Sequence, residues 1–196
     1  MQPHMGVDIH EKTLGIVGMG AIGQAVARRA KKGFNMKIVY HSSSRKERAE
    51  KEYEAKFVAF DELLAVSDFI SIHVPLTEKT KHMFSTQEFK KMKQTAILVN
   101  TARGPVVDEA ALAEALKDGR IRGAALDVFE EEPIVHPGLI KLKEYVVLTP
   151  HIGSASFETR LRMAKMAALN MAEALKGNRP PNLVNEAVNQ RKRNGS

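Results

Sequence analysis

Residues 13–30, TLGIVGMGAIGQAVARRA, combine a short apolar run, three glycines and a stretch with apolar residues at helical spacing. The apolar run predicts a β-strand, and the later spacing predicts an α-helix. Three glycines between a strand and a helix are typical of a phosphate-binding turn. The first permits a tight bend, the second leaves room for a pyrophosphate, and the third lets the helix pack closely on the strand. The candidate binding residues of this turn are Gly18, Gly20, Ala21, Ile22 and Gly23.

A glycine-rich turn also occurs without a ligand, so the order of the surrounding elements decides between the two interpretations. Short runs rich in Val and Ile alternate with helical or turn-like stretches along the chain. The runs are LGIVG, MKIVYH, DFISIHV, TAILVN, GAALDVF and YVVLTP. This alternation predicts βαβ units, and runs that are apolar on both faces predict a parallel sheet with helices on each side. We therefore expect an α/β fold with a Rossmann-type, doubly wound parallel sheet, which favours the phosphate-binding interpretation.

Several helix limits are readable from single residues. Ser85 and Glu88 have the spacing of a capping box. Asp108 is a good N-cap for the next helix, which we expect to end near Gly119. A last helix, ending before Gly177, has an apolar stripe formed by Phe157, Leu161, Ala164, Ala168, Met171 and Leu175.

Composition excludes several classes of protein. The 196 residues, 43% of them hydrophobic, suffice for one good core. No run is long enough to cross a bilayer and no signal peptide is evident, so we expect a cytoplasmic protein without a membrane partner. The lack of cysteine excludes a thiolate metal site or nucleophile, and no metal site is predicted. The net charge of +7 is spread along the chain and only 6% of residues are aromatic, so no nucleic-acid partner is predicted.

The end of the second strand bears on the choice of cofactor. A residue about 20 positions after the glycines commonly carries a carboxylate that binds the ribose 2′-hydroxyl of NAD. Here the segment is IVYHSSSRK, with no carboxylate in it. Hydroxyls and cations at Ser42, Ser43, Ser44, Arg45 and Lys46 suit a 2′-phosphate instead. We therefore expect NADP(H) to be favoured over NAD(H); the alternative is an ordinary polar loop.

Five stretches in order give the chain a resemblance to a known family. They are LGIVGMGAIGQAVARRA, VPLTEKTKHMF, ILVNTARGPVVDEAAL, GAALDVFEEEP and LTPHIGSAS. Together they resemble the nucleotide-binding domain of the D-isomer-specific 2-hydroxyacid dehydrogenases, within which the glyoxylate/hydroxypyruvate reductase branch is most similar. The resemblance extends from about Gly6 to Asn185. It implies hydride transfer between a nicotinamide cofactor and a small 2-keto acid, giving the D-2-hydroxy acid.

The resemblance also implies roles for individual residues. Arg103 corresponds to the arginine that holds the substrate, and Glu132 and His151 correspond to the acid–base pair. These residue types suit the reaction, because an arginine fork binds a carboxylate and polarises a carbonyl, while a histidine beside a carboxylate supplies a proton. Taken singly, each is also explained by an ion pair, a solvated turn or a buried histidine. The remaining implied cofactor contacts are Pro75, Thr80, Thr101, Ala102, Asp127 and Gly153.

Domain limits follow from these motifs. We expect a lead-in over residues 1–12, the dinucleotide-binding domain over 13–153, a helix and return segment over 154–185, and a disordered tail over 186–196. Family members carry a substrate-binding portion ahead of the glycine motif, and we expect this single domain to lack it and to have weak activity alone. A homodimer through the nucleotide-binding domain is a further expectation. The alternative function is a non-catalytic dinucleotide-binding interaction module.

Overall fold

Seven strands in the described part of this computed structural model, residues 6–186, form one all-parallel sheet. They are β1 (Thr13–Val17), β2 (Lys37–His41), β3 (Lys56–Phe57), β4 (Phe69–Ile72), β5 (Ile97–Asn100), β6 (Gly123–Leu126) and β7 (Val146–Leu148). Their spatial order is β3-β2-β1-β4-β5-β6-β7. The prediction of a doubly wound parallel sheet, and of six of its strands, is confirmed. The sequence analysis missed β3, because two residues show no periodicity.

The helices of residues 6–186 connect these strands. They are α1 (Ala21–Phe34), α2 (Glu47–Tyr53), α3 (Phe60–Val66), α4 (Thr86–Lys91), α5 (Glu109–Lys117), α6 (Pro137–Lys141) and α7 (Phe157–Leu175), with a 3-10 turn at Gly104–Val106. The N-cap role of Asp108 is confirmed, since its side chain accepts a hydrogen bond from the Ala111 N–H group at 2.9 Å. The backbone N–H of Ser85 donates to Glu88 at 3.1 Å, as a capping box requires. No helix among these residues is both long and apolar enough to span a membrane.

Alternate residues of the inner strands supply two hydrophobic cores, one on each face of the sheet. In β1, Leu14 and Ile16 belong to the core that includes Ala27 of α1. Their neighbour Val17 belongs to the other core, with Leu63 of α3. Side chains of successive strand residues point to opposite faces, so this division places helices on both sides of the sheet. The inner strands β1 and β4 are largely buried on both faces, which explains their continuous apolar runs.

The strand order reverses between β1 and β4. From β1 the chain continues to β2 on one side, whereas β4 leads to β5 on the other side. A crevice forms at such a point beyond the carboxyl ends of the strands, and ligands of open α/β sheets bind there. The glycine turn follows β1 directly and therefore lies at this crevice.

The chain divides into two compact units, Met1–His151 and Ile152–Ser196. The first contains the sheet. The second contains α7, which begins after the N-cap Ser156, whose hydroxyl accepts a hydrogen bond from the Thr159 N–H group at 3.2 Å. The predicted disordered tail lies outside the described residues apart from its first residue, Glu186, whose carboxylate pairs with Arg179.

Candidate nucleotide and keto-acid site

The glycine turn has the geometry of a phosphate cradle. Gly18 has a φ of +96°, and a Cβ atom there would lie 2.6 Å from the carbonyl oxygen of His73. A Cβ atom at Gly23 would lie 2.2 Å from the carbonyl oxygen of Gly18, so α1 packs directly on the turn. At Gly20 a Cβ atom would meet nothing within 4 Å. The N-terminus of α1 therefore faces open space, without a side-chain cap or an acidic residue in its first turn.

A cleft of 390 Å³ adjoins this turn. Its lining comes from the ends of β4 and β5 and from the start of α1, namely Ile22, His73, Val74, Pro75, Leu76, Thr101, Ala102 and Arg103. Five of the predicted site residues thus share one cleft at the reversal of strand order. Thr80, a sixth, holds the loop above it, because its hydroxyl donates to the Pro75 carbonyl at 2.6 Å. Burial lowers the pKa of His73, whose Nε2 lies 2.8 Å from the Ser71 hydroxyl.

The loop after β2 has a carboxylate of the following helix, α2, as a direct neighbour. Arg45 donates to both carboxylate oxygens of Glu50 on α2, at 3.1 Å and 2.7 Å. Although the segment IVYHSSSRK contains no carboxylate, the fold thus brings the carboxylate of Glu50 beside it. Ser42 and Ser43 follow β2 directly, and Ser44 accepts a hydrogen bond from Lys46 at 2.9 Å.

Glu132 and His151 form a hydrogen-bonded pair beyond β6 and β7. His151 Nδ1 lies 2.8 Å from Glu132 Oε2, and the other oxygen of Glu132 accepts a hydrogen bond from the Phe129 N–H group at 3.2 Å. The His151 hydrogen bond lowers the pKa of Glu132; burial opposes this effect, while the Phe129 hydrogen bond and the charge of Arg103 add to it. His151 has a φ of +53°, a left-handed conformation that is uncommon for non-glycine residues.

The three predicted catalytic side chains come from consecutive positions in the sheet. Arg103, Glu132 and His151 follow β5, β6 and β7, which are neighbours and parallel, so their loops meet at the carboxyl edge. The Arg103 guanidinium donates to the Ala102 carbonyl at 2.6 Å and is otherwise exposed. A pocket of 260 Å³ beside the Glu132–His151 pair has a mainly apolar lining that includes Phe129, Val135, Leu148 and Pro150.

Buried polar residues support these loops. Asn100, at the end of β5, donates to the Arg103 carbonyl and accepts from the Ala102 N–H group, both at 3.0 Å. Asp127 is buried and accepts a hydrogen bond from the Thr149 hydroxyl at 2.6 Å. The sequence analysis missed Asn100 and Thr149, although a polar residue at the end of an apolar strand is a readable signal. Gly153 lies in the second compact unit, so nothing further is assigned to it.

The fold and this edge define a class of protein. A doubly wound parallel sheet, a glycine cradle at the reversal of strand order and an uncapped helix N-terminus are the features of a dinucleotide-binding domain. Residues 1–153 match the NAD-binding domain of the D-isomer-specific 2-hydroxyacid dehydrogenases. The chain belongs to this family, which confirms the resemblance seen in its motifs.

Named relatives are similar over most of the chain. The glyoxylate reductase of Thermococcus litoralis is 58% identical over 184 residues, and that of Korarchaeum cryptofilum is 56% identical over the same length. Both alignments cover 94% of this chain and 55% of the relative. The chain therefore spans about half the length of these relatives.

Solved structures show the same fold. A glyoxylate reductase from Paecilomyes thermophila superposes with a TM-score of 0.82 at 44% identity, covering 89% of this chain and 53% of that one. A D-lactate dehydrogenase with NAD+ from Lactobacillus jensenii gives 0.83 at 29% identity, covering 93% and 58%.

Proposed function

We propose that the chain is the nucleotide-binding domain of an NAD(P)-dependent oxidoreductase that reduces a small 2-keto acid, glyoxylate or hydroxypyruvate, to the D-2-hydroxy acid. The observation that carries this proposal is the hydrogen-bonded Glu132–His151 pair, at 2.8 Å, on the same sheet edge as Arg103. The names of the relatives support the substrate class. A module that only bound a dinucleotide would have no use for this acid–base pair.

Residues of the glycine turn fit a dinucleotide. The pyrophosphate would lie over Gly20 at the start of α1, where the backbone is unobstructed, with Ala21 and Ile22 supplying N–H groups. Pro75, Thr80, Thr101 and Ala102 would line its course along the cleft. The family resemblance places Asp127 near the nicotinamide, and the predicted cofactor contact of Gly153 stays a prediction from the same resemblance. When bound, the cofactor supplies a hydride to the carbonyl carbon of the keto acid.

Arg103 and His151 would complete the reaction from the protein side. The Arg103 guanidinium binds the substrate carboxylate and polarises the keto oxygen, which gains the electron pair of the broken π bond. Because Glu132 occupies Nδ1 of His151, the proton for this oxygen comes from Nε2. The carboxylate of Glu132 stabilises the charged imidazole before the transfer. In oxidation the same nitrogen accepts the proton.

We further propose that NADP(H) is preferred. Arg45, with Ser42 and Ser43, would bind the 2′-phosphate at the end of β2. In the free protein Arg45 is paired with Glu50, so the phosphate competes with this carboxylate for the guanidinium. We expect Arg45→Ala to weaken NADPH binding about tenfold or more and to leave NADH binding unchanged. The matched control is Arg48→Ala, which removes an exposed arginine paired with Glu52 on α2. Equal losses for both nucleotides would contradict the preference.

The central experiment measures NADPH oxidation with glyoxylate and NADPH binding by fluorescence in the same sample. We expect His151→Asn to lower kcat by about 10²- to 10⁴-fold without changing the dissociation constant of NADPH. The control is His10→Asn, at an exposed position. A His151→Asn protein with unaltered turnover would overturn the proposed mechanism. Nucleotide binding without any turnover would favour the alternative of a dinucleotide-binding interaction module.

The finer expectations on organisation also stay part of this proposal. They are the domain limits at residues 13–153 and 154–185, a homodimer through the nucleotide-binding domain, and a cytoplasmic location. Sedimentation of the purified chain with and without NADPH tests the dimer.

A further inference from the structure

The loops that carry Arg103 and Glu132 touch each other at one glycine. A Cβ atom at Gly104 would lie 1.8 Å from the carbonyl oxygen of Phe129 and 2.5 Å from the backbone nitrogen of Glu130. The two backbones are therefore in direct contact, one residue after Arg103 and two to three residues before Glu132. No side chain fits between them.

The carboxylates of Glu109 and Glu130 stabilise this contact, because each accepts a hydrogen bond from the backbone N–H group of the other residue. Glu109 accepts a hydrogen bond from the Glu130 N–H group at 2.7 Å, and Glu130 accepts one from the Glu109 N–H group at 2.7 Å. The second oxygen of Glu109 accepts from the His136 N–H group at 3.1 Å, whereas the second oxygen of Glu130 lies 2.9 Å from Nε2 of His82. Glu109 thus binds the segment around Glu132 on both sides, at positions 130 and 136.

Capping of α5 does not account for the Glu109 side chain. Glu109 is the first residue of this helix, but Asp108 is its N-cap and already accepts the Ala111 N–H group. Two hydrogen bonds of the Glu109 carboxylate reach the loop after β6, 21 and 27 residues away. Glu109 is only 4% exposed, and a carboxylate is buried so deeply only where fixed donors satisfy it.

We propose that Glu109 is a positioning residue, which together with Glu130 ties the loop of Arg103 to the loop of Glu132. This inference rests on the proposed function, because it explains how Arg103 and Glu132 are kept at the distance that the proposed reaction needs. Glu109 itself does not reach the reacting atoms. It holds the 130–136 segment so that Glu132 meets both the Phe129 N–H group and His151. If this segment were mobile, Glu132 and His151 would not be held in a fixed position relative to Arg103.

The test replaces the carboxylate by an amide. In Glu109→Gln one of the two backbone N–H groups faces an NH₂ group, which cannot accept a hydrogen bond. The first readout is the carboxyl ¹³C titration of Glu132, assigned by comparison with Glu132→Gln. We expect its midpoint to rise toward the ordinary glutamate value as the contacts with Phe129 and His151 loosen. For glyoxylate reduction we expect kcat to fall about 10- to 100-fold while NADPH binding stays unchanged.

Two further variants make the result decisive. Glu114→Gln alters an exposed carboxylate of the same helix, 3.7 Å from Lys117, and should change neither readout. Glu130→Gln removes the partner carboxylate at a more exposed position, and it decides the question should Glu109→Gln fail to fold. A folded Glu109→Gln or Glu130→Gln protein with an unchanged Glu132 titration overturns the inference. The titration needs no turnover, so a failure of the proposed reaction is recognised separately.

Discussion

At the scale of single residues, Glu132 is held in its charged form by its surroundings. The hydrogen bond from His151 is the main cause of its lowered pKa, and the positive charge of Arg103 acts in the same direction. The carboxylate is therefore ionised at neutral pH. In the proposed reaction it is the counter-ion of the histidine that transfers the proton.

The lowered pKa of Glu132 predicts a pH-dependent contribution to stability. A carboxyl whose pKa is lower in the folded protein stabilises the fold above its ordinary pKa of about 4.3, and this contribution disappears as the pH falls through the folded value. We expect Glu132→Gln to lower stability near neutral pH by less than about 1 kcal/mol, because the side chain is 38% exposed and screened by water.

Thermal unfolding of both proteins between about pH 7 and pH 3 measures this difference. The two curves should converge in acid. Glu144→Gln, at an exposed position, serves as the control and should follow the unsubstituted protein throughout. A difference that grew on acidification would contradict the assignment.

At the scale of elements, the two glycines of α1, Gly23 and Gly33, differ in how closely the helix packs around them. Gly23 brings the helix against the carbonyl of Gly18, which fixes where the helix begins relative to β1. Gly33, near the other end of the same helix, contacts nothing at the Cβ position. Close packing therefore requires a residue without a side chain at Gly23 and does not require one at Gly33.

This contrast predicts opposite results for the same substitution. Gly23→Ala should lower the free energy of unfolding by about 1–3 kcal/mol, because the turn must move, and should weaken nucleotide binding. Gly33→Ala should be neutral or stabilising by about 0.4–1 kcal/mol, since alanine restricts the unfolded chain and favours a helix. Urea unfolding and NADPH fluorescence measure both effects. Equal destabilisation by the two substitutions would show that close packing at Gly23 is not the reason for its presence.

Local pattern was sufficient for some elements of the fold and insufficient for others. The apolar runs predicted six strands, and the N-cap Asp108 marked the start of α5, because these signals are contained in a few adjacent residues. The tie between Glu109 and Glu130 and the pairing of Arg45 with Glu50 depend on loops that meet only in the folded chain. Motifs of the family identified Arg103, Glu132 and His151. The supporting residues Asn100, Glu109 and Glu130 lie within the same stretches, but their roles depend on contacts that a linear motif does not show.

At the scale of the whole molecule, the two cores of the sheet divide the first compact unit into layers. The inner strand β5 lies between β4 and β6, and its Leu98 is fully buried. At the edge strand β7, Val147 is 63% exposed. Substitution at the centre therefore disturbs packing around the sheet, and substitution at the edge does not.

Leu98→Ala and Val147→Ala compare the effect of losing a side chain at an inner strand and at an edge strand of the same sheet. We expect the first to lower the free energy of unfolding by about 2–5 kcal/mol, because it leaves a cavity in the core. The second should change it by no more than about 0.5 kcal/mol. Denaturant midpoints of the two proteins give the comparison. A small effect at Leu98 would mean that the core relaxes into the space.

The pairing of Arg45 with Glu50 has a consequence for coenzyme engineering. The fully buried Tyr40 donates to Glu50 at 2.7 Å and so anchors the carboxylate, while Arg45 lies at the surface. In the proposed NADP(H) complex, a mobile phosphate displaces a fixed carboxylate from one guanidinium. Strengthening the binding of that nucleotide would therefore require changing the anchored anion on α2, because editing the serine loop alone would leave the resident competitor in place.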